Sequence, residues 1–231
     1  MIRSKALLLC LILATLNIAA LAQEKKVEVA AHLGYTAASG FDVNPDPING
    51  AVIDRIGVDS GISFGFQGDY LMSDKFAVGF LWARQSSKLT TSGFTATNTG
   101  TVNIADMPIY NYLGVATYNF GEVLGKVRPY ALGGLGATVY SPGDFIVFFP
   151  NGVVASGNPG SSTKFALTLG GGVKFFFSDS LGVKASARWT PTYIGSQPEG
   201  IWCVQGLYCS VIDDSKWANQ GEFSGGIIFR F

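Results

Sequence analysis

The 231 residues suffice for one domain or at most two. Charged residues make up only 14%, against roughly a quarter in ordinary soluble domains, while glycine numbers 30, aromatics reach 13% and mean hydropathy is +0.29. Lys and Arg balance Asp and Glu at 16 each, which excludes the basic surface a nucleic-acid partner needs, and no apolar run after the first 22 residues is long enough for a membrane helix.

The first element is a targeting segment. Arg3 and Lys5 form a positive start, Ala6 to Ile18 an apolar stretch, and Ala20-Leu21-Ala22 a small-residue cleavage site before Gln23. The expected division is therefore a signal peptide over residues 1–22 and one domain over 23–231. Cys10 lies inside the apolar stretch with no small residue ahead of it, unlike a lipoprotein cysteine. Cys203 and Cys209 remain in the exported chain, and an even pair there reads as a disulfide. With neither a His nor a third Cys near them, no metal site is expected, and the chain gives no sign of a cofactor.

From Lys26 onward the dominant signal is alternation with a period of two, the signature of strands with unlike faces. Val27, Val29, Ala31, Leu33 and Tyr35 share one face of the first strand, and Glu28, Ala30, His32 and Gly34 the other. In the second, Ile62, Phe64, Phe66 and Tyr70 oppose Ser63, Gly65, Gln67 and Asp69. After Ser73-Asp74-Lys75, Phe76, Val78, Phe80 and Trp82 oppose Ala77, Gly79, Leu81 and Ala83. The fourth strand, Met107 to Phe120, sets Tyr110, Tyr112, Tyr118 and Phe120 on one parity but Ile109, Leu113 and Val115 on the other. The glycine-rich fifth, Val127 to Tyr140, has no evident face.

The alternation then returns. Phe165, Leu167, Leu169, Val173, Phe175 and Phe177 oppose Thr168, Gly170, Gly172 and Lys174. In the seventh strand Val183, Ala185, Ala187, Trp189 and Tyr193 oppose Lys184, Ser186, Arg188 and Thr190. In the eighth Phe223, Gly225, Ile227, Phe229 and Phe231 oppose Glu222, Ser224, Gly226 and Arg230. Short turns (Ser73–Lys75, Gly121–Lys126, Ser178–Ser180) alternate with long polar or Gly/Pro-containing loops. That layout predicts an all-β, eight-stranded antiparallel up-and-down transmembrane barrel with short turns and both termini on the periplasmic side.

A soluble secreted barrel would alternate too, so the charged face decides which side points outward. Glu28, Lys174, Lys184, Arg188, Glu222 and Arg230 all oppose the large aromatics, among abundant Gly, Ala and Ser that suit a crowded eight-strand interior. Aromatics near strand ends, such as Tyr35, Tyr70, Trp189 and Phe231, suit interfacial girdles. The expectation is an inside-out barrel with Glu28, His32, Lys174, Lys184, Arg188, Glu222 and Arg230 in an interior charge network. Glu28 and Arg230 would meet where the first and last strands close the wall.

Two passages resemble the small outer-membrane barrels of the OmpA and OmpX type. One runs from Met107-Pro108-Ile109-Tyr110 through Tyr118-Asn119-Phe120 to Arg128-Pro129-Tyr130-Ala131-Leu132-Gly133-Gly134-Leu135-Gly136. The other is the end, Gly225-Gly226-Ile227-Ile228-Phe229-Arg230-Phe231, which looks like the terminal signal read by the barrel-insertion machinery, with Phe229 and Phe231 as its aromatics. The resemblance implies a bacterial outer-membrane location, lipid and lipopolysaccharide around the barrel, and periplasmic chaperones during assembly. It specifies architecture and not activity.

His32 is the single histidine, and a satisfied interior residue is the expected role. The lipid A deacylase pattern pairs a His with a Ser two residues on, and His32-Leu33-Gly34 lacks that Ser. Asp42-Val43-Asn44-Pro45-Asp46 imitates the start of a calcium loop, but Pro47 stands where Gly is needed and Ile53 where a bidentate Glu belongs. Gly133-Gly134-Leu135-Gly136 and Gly170-Gly171-Gly172 precede no phosphate-binding helix and read as strand glycines. The apolar Phe145 to Phe149 either extends a strand above the membrane or touches lipopolysaccharide or a partner. The leading expectation is a non-enzymatic structural or surface-binding barrel whose external ligand the sequence does not identify; the alternatives are a narrow channel for small solutes and a lipid-modifying enzyme.

Overall fold

The computed structural model describes residues 26–39, 41–42, 47–48, 51–52, 55–92, 102–121, 126–148, 154–157, 160–194 and 217–231. Residues 1–22, Cys203 and Cys209 lie outside these, as does most of the Asp42–Asp46 segment. Eight long strands close into one antiparallel barrel: β1 (Val27–Ala38), β2 (Gly61–Leu71), β3 (Phe76–Gln85), β4 (Ile109–Asn119), β5 (Val127–Tyr140), β6 (Ser162–Phe176), β7 (Leu181–Tyr193) and β8 (Trp217–Arg230). Each strand pairs with its neighbours in sequence, and β1 pairs with β8 from Glu28↔Arg230 to Ala38↔Gln220. Beyond the end of β8, Phe231 exchanges two backbone hydrogen bonds with Val27, at 2.8 and 3.1 Å, so the last residue completes the seam.

The short turns are built from the same chemistry twice. Ser73 Oγ accepts the amide of Phe76 at 3.1 Å, and Ser178 Oγ accepts that of Leu181 at 3.1 Å, which reverses the chain within a few residues. At the opposite rim the connections carry structure of their own. Phe41–Asp42, Arg55–Val58, Lys88–Ser92 and Val102–Asp106 form a four-stranded sheet in that order, joining the first two long loops. Phe145–Phe148 pairs with Val154–Gly157 in a separate two-stranded hairpin, so this apolar segment is a strand of its own and does not continue the preceding barrel strand.

Outward positions carry the large apolar side chains: Leu33 is 63% exposed, Phe64 40%, Leu169 57% and Phe223 73%. Aromatics on β2 and β3 pack against one another across the wall, with Phe66 stacked on Trp82 at 5.4 Å and Phe64 T-shaped against it at 5.8 Å. Inward positions are buried and hold every charged member of the expected network. The two strands whose faces the sequence leaves open are now oriented. In β4 Ile109, Leu113 and Val115 point inward and Tyr112 and Tyr118 outward; in β5 Tyr130, Leu132, Thr138 and Tyr140 point inward and Leu135 outward. The interior is thus not uniformly polar, and apolar residues on both faces of β4 erase the contrast that alternation depends on.

Among the eight barrel ladders one is interrupted. Leu167 and Thr168 of β6 have no paired partners opposite Thr190 and Pro191 of β7. Pro191 has no N–H to give a ladder. Thr168 fills the gap from inside, its hydroxyl 3.1 Å from that of Thr190.

Candidate functional site

Inward-facing side chains fill the lumen in layers. Toward the short-turn rim, Glu28 of β1 lies between two cations brought by other strands. Lys174 Nζ of β6 donates to Glu28 Oε2 at 2.6 Å, while Arg230 of β8 donates through Nη2 and Nε to Oε1 at 2.6 and 2.9 Å. The Glu28 and Lys174 side chains are 1% and 0% exposed, whereas that of Arg230 keeps 15% and reaches the rim, where it lies over the Phe176 ring at 4.1 Å. A buried charge needs a partner and hydrogen bonds to be tolerated, and both Glu28 oxygens have them.

Lys184 of β7 donates to Gln67 Oε1 at 2.6 Å, and Gln67 in turn donates its amide to both oxygens of Asp69, at 2.8 and 2.9 Å. The face of Tyr130 lies beneath both lysines, 5.3 Å from Lys174 Nζ and 4.8 Å from Lys184 Nζ. One strand step further in, Arg188 of β7 donates to Glu222 Oε2 of β8 at 2.7 Å, and Thr36 donates to the same oxygen at 3.2 Å. His32 Nε2 sits 3.9 Å from Glu222 Oε1, beyond hydrogen-bond reach, and neither atom has a hydrogen-bond partner, so the histidine is interior as expected but not satisfied at that nitrogen.

Glycine makes this arrangement possible at specific places. A Cβ at Gly65 would lie 2.8 Å from His32 Nε2, and one at Gly172 2.8 Å from the Tyr130 hydroxyl, each also colliding with backbone of the neighbouring strand. Only glycine leaves the space those two inward rings occupy.

Beside the charges Leu81, Ala83, Leu113, Val115, Leu132 and Ala166 pack with Tyr130 in an apolar cluster. Hydroxyl and amide groups follow: Thr138 donates to Asn111 Oδ1 at 2.7 Å and accepts from Thr192 at 3.2 Å, and Asn111 donates to Gln220 at 3.2 Å. At the long-loop rim, Val58, Leu89, Met107, Ile109, Tyr140, Ile194 and Ala218 pack together across the mouth. Leu89, Met107, Ile109 and Tyr140 are each at most 1% exposed.

The seven residues expected in the network therefore all face the lumen, and they divide into groups around Glu28, Gln67 with Lys184, and Glu222. Gln67 and Asp69 belong to it although the sequence reading did not single them out; their position on the non-aromatic parity of β2 was the available signal. Phe229 lies outward, stacked with Phe231 at 6.4 Å, on the seam between first and last strands.

A closed wall with aromatics outside and paired charges inside defines an integral membrane barrel, because the strand ladders pair the backbone around the wall and the ion pairs are withdrawn from lipid. The family described as outer membrane protein beta-barrel domain matches residues 6–231, and the chain belongs to it. It is thus an integral protein of the bacterial outer membrane. Among solved structures, Neisserial surface protein A is similar over 89% of this chain and 97% of its own, at 18% identity and a TM-score of 0.52. The outer membrane protein OprG from Pseudomonas aeruginosa is similar over 89% of this chain and 96% of its own, at 14% identity and a TM-score of 0.51. At those identities the likeness is one of fold. No curated protein matches the chain.

Proposed function

We propose that the protein is a non-conducting, non-enzymatic surface barrel whose interactions are made by the loops of its long-loop rim. The observation that carries this is the apolar layer across the mouth, from Val58 and Leu89 to Tyr140 and Ile194. A solute route would have to open that layer and then part the ion pairs below it. Eight strands leave an interior about wide enough for side chains alone, and side chains occupy it. His32 faces Glu222 inside the sealed lumen with its side chain 9% exposed, a position from which it meets neither lipid nor a surface substrate.

In the same reading the short-turn rim and both termini are periplasmic, the joined loop sheet is external, and the barrel is surrounded by phospholipid and lipopolysaccharide. Phe229 and Phe231 serve insertion by the assembly machinery after periplasmic chaperones deliver the chain. Conductance of the purified protein in planar bilayers tests the proposal. The expected record is silent; steady, salt-dependent steps would replace this reading with a narrow channel.

A further inference from the structure

The outward parity of β3 runs Phe76, Val78, Phe80, Trp82 and then ends in a cation, Arg84. Register places Arg84 directly between Phe64 of β2 and Tyr110 of β4. Its guanidinium carbon lies 5.7 Å from the Phe64 ring centre and 5.9 Å from that of Tyr110. The rings hold the cation in place but bring no opposite charge. Its Nε is shielded from solvent and has no hydrogen-bond partner. Among the described residues no carboxylate lies within ion-pairing distance of Arg84, whereas Lys174, Arg188 and Arg230 each have one.

Arg84 also borders a cavity of about 740 Å³ at the long-loop rim, formed where the loop sheet meets the wall. Lys88 supplies a second cation there, Ser86 a hydroxyl, and Asn103 an amide. Asp59 and Asp106 line the same space from the loop side. A guanidinium on the membrane face is tolerated when its counter-charge comes from the bilayer, and its planar fork matches a phosphate.

We propose that Arg84 and Lys88 form a binding site for the phosphate of a membrane lipid headgroup, held at the barrel's rim with Phe64 and Tyr110 as the walls beneath it. Arg84 contributes paired N–H donors, and Lys88 a point charge from above. Asp59 and Asp106 accept hydroxyl or ammonium donors from the rest of the headgroup. The site rests on the outward assignment of this face and is independent of whether the lumen conducts.

Native mass spectrometry of the detergent-solubilised full chain tests it, with bisphosphorylated lipid A, the same lipid after dephosphorylation, and inorganic phosphate as probes. The wild-type barrel is expected to retain the phosphorylated lipid about tenfold more tightly than the dephosphorylated one. Arg84→Gln abolishes that preference and Arg84→Lys keeps part of it, with all three barrels showing the same heat-modifiable migration. Equal retention of both lipids by the wild type, which needs no variant to fold, overturns the proposal; so does an undiminished preference in Arg84→Gln. Displacement of the lipid by millimolar inorganic phosphate would overturn the lipid as the ligand and assign the site to a soluble phosphate.

Discussion

Replacing Glu28 with alanine removes the one carboxylate among the described residues that Lys174 pairs with while leaving the lysine in place, its side chain 0% exposed and 2.6 Å from the vacated oxygen. Breaking a buried ion pair from one side costs about 3–5 kcal/mol, because the remaining charge is left uncompensated. Most of that falls on Lys174. Arg230, with 15% of its side chain exposed at the rim, can turn to water when its partner goes. The proper reference is Val29→Ala, one residue along and facing lipid, which loses two methyl groups worth about 1.5 kcal/mol of apolar burial. Urea unfolding of the refolded barrel in vesicles, followed by tryptophan fluorescence, is expected to show Glu28→Ala losing at least twice as much stability as Val29→Ala. The pairs then separate the two cations. Glu28→Ala with Lys174→Met is expected to recover most of the loss, and Glu28→Ala with Arg230→Ala less, since coupling is strongest where neither partner reaches water. Equal losses for Glu28→Ala and Val29→Ala would refute the reasoning, as would double variants that simply add.

Three further outcomes follow from the chain's ends and its last loop. Intact-mass measurement of outer-membrane material is expected to give a protein beginning at Gln23; retention of residues 1–22 would contradict it. Cys203 and Cys209 are expected to form a disulfide that adds only roughly 2 kcal/mol in so small a ring, and two free thiols in protein isolated without reductant would count against it. Deleting Phe231 removes both closing hydrogen bonds with Val27 and is expected to lower the yield of inserted, heat-modifiable barrel, whereas an unchanged yield at high expression would rule out its role in assembly.

The strands whose two faces differ most in chemistry were legible from sequence. In β1, β2, β6, β7 and β8, large apolar side chains on one parity face glycine, polar groups and charges on the other, in β3 aromatics face smaller Ala, Gly and Leu, and the barrel follows that division. β4 and β5 resisted because the middle of the lumen is apolar, so Leu113, Val115 and Leu132 face in while Tyr112 and Leu135 face out. Parity and the need to close the wall were enough to put Glu28 beside Arg230. They could not bring Lys174 to the same carboxylate, because β6 is two strands removed from β8 and reaches Glu28 across the lumen. The joined sheet of the first two long loops was equally hidden, since its pairing links segments distant in sequence whose residues show no sustained alternation. Arg84 could have been found by extending the outward parity of β3 by one step past Trp82.

Which face meets lipid is the claim on which the rest depends. In a single-tryptophan variant retaining Trp82, with Trp189, Trp202 and Trp217 replaced by Phe, fluorescence can be recorded in bilayers of lipids brominated on their acyl chains. Trp82 stands outward between Phe64 and Phe66, so strong quenching by the brominated chains and little by aqueous iodide is predicted. Emission indifferent to the brominated lipid would place the aromatic face inside and contradict the inside-out barrel.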